Sequence, residues 1–176
     1  PGDRIAHWLG RHGEFCEPDE AVIAAAVAQA RHPLTRKPGD LAAIREALYD
    51  VMWDEVGIVR DAASLARASG RLEALEAQVD GAGVADADLA FNLTWHDWLN
   101  LKNLLLVSKA IRAAAEARED SRGAHFRSDF PHTGELATSS YTCVRLAERG
   151  FEIRTQPVEF TRVKPGQTLL TDQQAA

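Results

Sequence analysis

Residues 41–81 read LAAIREALYDVMWDEVGIVRDAASLARASGRLEALEAQVDG, and the spacing of the apolar side chains in this stretch decides the fold. Asp40 is placed to cap a helix in which Leu41, Ile44, Leu48, Val51, Met52 and Val59 recur at steps of three, four and seven, so that they share one face. Near Arg60-Asp61 the stripe changes phase. A second stripe begins at Leu65 and continues through Leu72, Leu75 and Val79 until Gly81 and Gly83 stop it. Two antiparallel helices with a tight corner near residue 60 are expected, the alternative being one long bent helix.

Downstream, the longest helix is expected from about Asp88 to Ala117. One of its faces carries Leu93, Leu101, Leu104, Val107 and Ile111, while Trp95, Trp98, Leu99, Leu105 and Leu106 spread apolar character onto others. A lone three-helix bundle needs only one such face, so the excess predicts a helix sandwiched between its bundle partners and a further element or domain. Beyond residue 118 the period changes. The run SSYTCVRLAERGFEIRTQPVEFTRV holds two β-rich segments separated by polar residues ending in Gly150, the signature of a β-hairpin, with Pro157 limiting the second strand. From Lys164 the tail is turn-forming and then polar. Upstream, Gly2, Gly10, Gly13 and Pro18 around Ile5, Trp8, Leu9 and Phe15 read as an irregular lead-in, followed by AVIAAAVAQA, a short buried helix opened by Asp19 and closed before Pro33.

The expected fold is therefore mainly α. An antiparallel, spectrin-repeat-like three-helix bundle occupies residues 40–120, behind an irregular lead-in over 1–39 that carries one extra short N-terminal helix. A motif loop, a C-terminal β-hairpin and a tail fill 121–176.

With 176 residues and 45% hydrophobic content the chain has enough apolar material for a packed core. The net charge of -6 is spread as mixed signs, which argues against nucleic acid and against a polybasic membrane patch. Two cysteines far apart, Cys16 and Cys143, point to a reducing, cytoplasmic compartment. No apolar run approaches the roughly 20 residues that span a bilayer, so direct membrane insertion is not expected. The chain starts at Pro1 and its only methionine is Met52, from which a segment of a longer polypeptide is expected.

A dinucleotide site needs a glycine-rich turn between a strand and a helix. The nearest string, GAGVAD at 81–86, follows a helical stripe instead and lacks the third glycine, so it reads as a helix-to-helix connection. His12 and Cys16 sit four apart as two metal ligands could, but Gly13 breaks the helix and no second pair completes a shell. His96 beside Asp97 reads as an imidazole satisfied by a hydrogen bond. Asp54, Glu55, Asp86 and Asp88 follow helix-surface and helix-start logic. No catalytic, cofactor-binding or metal-ligating residue is expected in this chain.

The run EDSRGAHFRSDFP, residues 119–131, is different. It gathers Arg122, His125 and Arg127 with Glu119, Asp120 and Asp129 around Gly123, directly after the longest helix, and interleaves Phe126 and Phe130. Two readings stand: a salt-bridged cap, since cations suit a helix C-terminus, or an interface in which Arg122 and Arg127 dock onto another domain.

The sequence AEAREDSRGAHFRSDFP, residues 115–131, resembles the motif that ends the long helix in the C-terminal helical domain of succinate dehydrogenase and fumarate reductase flavoproteins. LYDVMWDEVGIVRDAASLARASGRLEALEAQV is similar to that family's first two bundle helices, LNLKNLLLVSKAI to its third, and PVEFTRVKPGQTLL to the tail of many soluble members. Residues 1–39 match loosely. Ser128 departs from the pattern, standing where relatives commonly carry an acid. L-aspartate oxidases share the architecture with an arginine-glycine-leucine-histidine version of the motif, and Ala124 favours the dehydrogenase and reductase branch.

The resemblance implies a parent enzyme that binds FAD and interconverts succinate and fumarate, or oxidises a similar dicarboxylate, by hydride transfer to the flavin. Its flavin-binding and substrate-binding residues belong to sequence outside this chain. Within such a parent the helical domain packs against the flavin-binding domain of the same polypeptide. In members that form complexes it lies near an iron-sulfur subunit, which makes it peripheral to a membrane. Arg122, His125, Arg127 and Asp129 are the candidate interdomain interface residues. The alternative from another class is an independent helical adaptor that binds partners through its tryptophan-rich long helix; a free-standing enzyme lacks a supporting constellation.

Overall fold

Asp40 accepts a hydrogen bond from the Ala43 amide at 2.9 Å, and the helix it opens ends at Asp54, before the corner that the change of stripe foretold. A computed structural model describes residues 2–13 and 17–167. The described residues form helices α1 (Gly2–His12), α2 (Glu20–Arg31), α3 (Leu41–Asp54), α4 (Ala62–Gly81) and α5 (Leu93–Ala117). They also form strands β1 (Val59–Arg60), β2 (Phe126–Arg127), β3 (Ser140–Ala147) and β4 (Gly150–Pro157).

Helices α3, α4 and α5 make the bundle. Leu48 and Val51 of α3, Leu65, Ala68, Leu72 and Val79 of α4, and Leu101 and Leu105 of α5 are each no more than 1% exposed. Burying each of these leucines contributes roughly 2 kcal/mol, which makes this seam the main source of stability. Asp61 caps α4 through a reciprocal box with Ser64, so the chain turns sharply between α3 and α4. At the far end Trp98, 3% exposed, donates its indole N–H to the carbonyls of Val79 and Ala82, at 2.9 and 3.1 Å, and so satisfies the last turn of α4 from α5. Lys102 with Asp80, and Lys109 with Glu76, lie along the same seam and fix its register more than its stability.

The hairpin pairs β3 with β4 antiparallel, from Ser140 with Pro157 to Ala147 with Gly150. Gly150 adopts φ +116°, which explains why a glycine follows the polar turn. Pro157 is the last residue of its strand, where its missing N–H is harmless.

Four expectations need correction. The lead-in is not irregular throughout, because Gly2–His12 is helical. Ile5, Trp8 and Leu9 share a face there, and an isolated glycine such as Gly10 costs a helix only about 1 kcal/mol. Second, α2 forms under the Asp19 cap as expected but buries none of its residues; its last turn is tied to α5 by the Trp95 indole, which donates to the Ala30 carbonyl at 2.7 Å. Third, α5 starts at Leu93 and not at Asp88. The carboxylates of Asp86 and Asp88 bond the amides two residues on, Phe91 takes φ +56°, and Asn92 supplies the cap.

The apolar faces of α5 divide between the bundle and the surface. Trp98, Leu101, Leu105, Ser108 and Ala115 point into the bundle, whereas Leu93, Leu104, Val107 and Ile111 are 77, 39, 54 and 44% exposed. Apolar residues on several faces carry no mark of which one the partner helices will cover. The fourth correction is to Val59: expected on the α3 stripe, it stands exposed in β1. Phe15 and Cys16, and the tail from Thr168, lie outside the described residues.

Candidate functional site

Helix α5 ends at Ala117 with carbonyls that have no partner inside the helix. Arg127 supplies one. Its Nη1 donates to the carbonyls of Ala115 and Glu116 at 3.0 Å each and to that of Arg118 at 3.3 Å. The other edge of the guanidinium grips Asp129 with two bonds, Nε to Oδ1 at 2.7 Å and Nη2 to Oδ2 at 2.8 Å. Asp129 in turn accepts the Ala62 amide at 2.9 Å, in the first turn of α4. A cation therefore sits at the C-terminus of α5 and an anion at the N-terminus of α4, each at the helix end whose dipole it complements.

The loop is built to hold this pair. β2 runs parallel to β1, with the Phe126 amide donating to Ile58 and the Ser128 amide to Arg60. Ser121, buried, accepts from the Arg127 amide and donates to the Phe130 carbonyl. Arg127 also lies over the Phe130 ring, 4.9 Å from its centre. At 2% exposure Arg127 faces inward, so it shapes the surface and does not form it.

Arg122 and His125 stand closer to solvent. Gly123, at φ +56°, closes the tight turn in which Arg122 and His125 exchange two backbone hydrogen bonds. The Arg122 side chain reaches the Thr133 and Glu135 carbonyls, the Ser139 hydroxyl and Asp120, and thereby leads the chain into the hairpin. His125 accepts from Arg60 Nη1 at Nδ1, 2.7 Å, and lies 3.3 Å from the Arg118 carbonyl through Nε2. Arginine always donates, so His125 is the neutral tautomer with its proton on Nε2. The sequence reading passed over Arg60, treating it as a corner residue. It stands 65 positions from His125, and only the pairing of β1 with β2 brings the two together.

Burial first, and then the nearby charges of Arg60 and Arg118, hold His125 below the ordinary histidine value of 6.5. The bidentate bond from Arg127 holds Asp129 below the ordinary carboxylate value of 3.8. The signs follow. His125 takes up its proton less readily folded than unfolded, so stability is constant above pH 6.5 and falls as pH drops from there toward the lowered folded value. The contribution of Asp129 is complete above pH 3.8 and disappears only as pH falls through its depressed folded value. Urea unfolding at pH 7.5 and 5.5 is expected to show lower stability at the acid value, and His125→Gln should shrink that difference. An unchanged difference in the variant would refute the assignment.

The remaining sequence candidates separate. His96 is exposed against the edge of Trp95, and Asp97 pairs with Arg45 and not with His96. His12 ends α1, and its suggested partner Cys16 lies outside the described residues. Among the described residues no three His, Cys, Asp or Glu side chains gather as a metal site.

The family model described as "Fumarate reductase flavoprotein C-term" matches residues 45–169, which include α3 after its first turn, α4, α5, the arginine loop and the hairpin. The chain belongs to this flavoprotein family, as its C-terminal helical domain. The 8-methylmenaquinol:fumarate reductase flavoprotein subunit of Wolinella succinogenes is 36% identical over 63% of this chain and 18% of its own length. The fumarate reductase flavoprotein subunit of Mycobacterium tuberculosis is 30% identical over 94% of this chain and 30% of its own. The L-aspartate oxidase of Acinetobacter baylyi is 33% identical over 64% of this chain and 20% of its own length. The solved structure of Mycobacterium smegmatis Sdh1 in complex with UQ1 superposes with a TM-score of 0.72 at 27% identity, over 88% of this chain and 26% of that one. The domain thus spans less than a third of the flavoproteins it matches.

A flavin pyrophosphate does not fit the one glycine-bearing turn the sequence offered. In GAGVAD the Gly83 amide is already spent on the Lys37 carbonyl at 2.8 Å, and the backbone of Arg36 lies against the glycine.

Proposed function

We propose that this chain is the part of an FAD-dependent succinate dehydrogenase or fumarate reductase-type oxidoreductase that supports the flavin-binding domain without entering the chemistry. FAD and the dicarboxylate bind elsewhere in the polypeptide, and the chemistry that FAD supplies there is hydride transfer. Residues 40–120 form the supporting bundle, 1–39 lead into it, and 121–176 carry the arginine loop and hairpin. An iron-sulfur subunit is the further partner, and the assembly works on the cytoplasmic side of a membrane complex.

One observation carries this reading. Leu104, Val107 and Ile111 form an exposed stripe on the longest helix, and Tyr49 of α3, 50% exposed, extends it. Such a stripe calls for a cover, and family membership supplies one in the rest of the flavoprotein. Arg122 and His125 are the loop residues near that cover, and Arg127 and Asp129 hold the loop in shape from within. The match to L-aspartate oxidases supports a second reading, the equivalent domain of such an oxidase, which the electron donor would distinguish.

Val107→Glu in the full-length enzyme places a charge in the proposed contact. Flavin retention is expected to weaken about tenfold, the cost of burying one poorly compensated charge at an interface rim. Substrate affinity of the surviving holoenzyme should be unchanged. Normal flavin content with an altered affinity for succinate or fumarate would overturn the proposal.

A further inference from the structure

Where α5 meets the arginine loop and β3 lies a groove of about 480 Å³. Arg60, Arg118, Arg122 and His125 line it together with Ile111 and Tyr141, and its remaining lining residues are uncharged. The local charge balance is uneven. Asp120 alone serves two guanidiniums, Arg118 at 2.6 Å and Arg122 at 3.0 Å. Arg60 has no carboxylate partner among the described residues: its Nε bonds the Val56 and Gly57 carbonyls and its Nη1 bonds the neutral His125. The rest of its donor fork stays free there.

A guanidinium cannot shed its charge to escape partial burial. Arg60 is pressed below the usual arginine value by burial and then by the charge of Arg127, both of which an anion would relieve. The rim of the groove is apolar, with Ile111 44% and Tyr141 57% exposed. A group seated between them would displace water, and a charge pair there would gain strength from the lower local dielectric. Ile111 is also the end of the exposed stripe Leu104–Val107–Ile111, so the groove and the stripe form one continuous surface.

We infer that this groove is a socket for an aspartate or glutamate side chain carried by the flavin-binding part of the same polypeptide, with Arg60 as its principal partner. The inference rests on the reading given under Proposed function and adds to it a specific anchoring point and its chemistry. The flat fork of Arg60 suits the two oxygens of a carboxylate. Ile111 and Tyr141 suit the stem of the acid and an apolar neighbour beside it.

Photo-crosslinking in the full-length enzyme tests it. Tyr141→p-benzoylphenylalanine places the probe on the socket rim, and Leu104→p-benzoylphenylalanine places it on the apolar stripe. The expected result is that both probes join peptides of the flavin-binding domain, that the Tyr141 peptide contains an Asp or Glu, and that converting this acid to its amide loses the Tyr141 product but not the Leu104 product. If the Leu104 probe reaches the flavin-binding domain while the Tyr141 probe gives no product, joins a peptide without an acid, joins another subunit or ignores the amide substitution, the socket is wrong and the domain reading stands. If neither probe reaches that domain, both are wrong.

Discussion

Replacing Arg127 with alanine is expected to lower the unfolding free energy of this domain by about 3 kcal/mol, the lower end for removing one partner of a buried ion pair. The lower end applies because Asp129 keeps some solvent, with its side chain 30% exposed against 3% for Arg127. The loss has two origins. Carbonyls of Ala115, Glu116 and Arg118 lose a charged donor at the end of α5, and Asp129 loses its bidentate partner while still facing the α4 amide. Arg127→Lys separates them, since an ammonium can serve the carbonyls or the carboxylate but not both in a flat fork; about half the loss should remain. Urea unfolding followed by circular dichroism measures both variants. An alanine variant within about 0.5 kcal/mol of the parent, the range of an ordinary surface substitution, would show that the helix ends are held by something else.

The bundle was legible because its signals are local. Caps at Asp40 and Asp61 and stripes at Leu65–Val79 are properties of neighbours in sequence, and each helix keeps them when packed. The hairpin was legible for the same reason, through Gly150. What escaped were properties of pairing. The inward turn of Arg127 and the recruitment of Arg60 depend on β1 meeting β2 across more than sixty residues, and neither strand is long enough to leave a periodic trace. On α5 the apolar residues alone did not say which face the bundle would cover: Leu101 is buried, but Leu104 and Ile111, drawn from the same stripe, face outward. The arginine loop was singled out by its composition. Arg127 answers to the cap, while Arg122 and His125 border the groove.

Gly83→Ala is the second large effect, expected at about 3 kcal/mol, the upper end of what overpacking a tight contact costs. A Cβ built there would lie 2.1 Å from the Arg36 carbonyl oxygen and 2.5 Å from its carbon, both backbone atoms that no rotamer change can move. The close approach has a purpose. Gly83 donates to Lys37 and accepts from Gly39, so the segment leaving α4 pairs with the segment entering α3 and the open end of the bundle is sealed. Gly81, two residues earlier in the same GAG string, has open space at its Cβ position. Gly81→Ala should therefore leave stability unchanged or raise it by up to about 1 kcal/mol, because alanine loses less backbone entropy in a last helical turn. A phosphate-cradling loop would behave otherwise, with both glycines mattering to cofactor binding and neither mattering much to the stability of the empty protein. Urea unfolding of the two variants without flavin discriminates, since equal stability would deny Gly83 its packing role, whereas loss at Gly83 alone makes the glycine a matter of space between backbones.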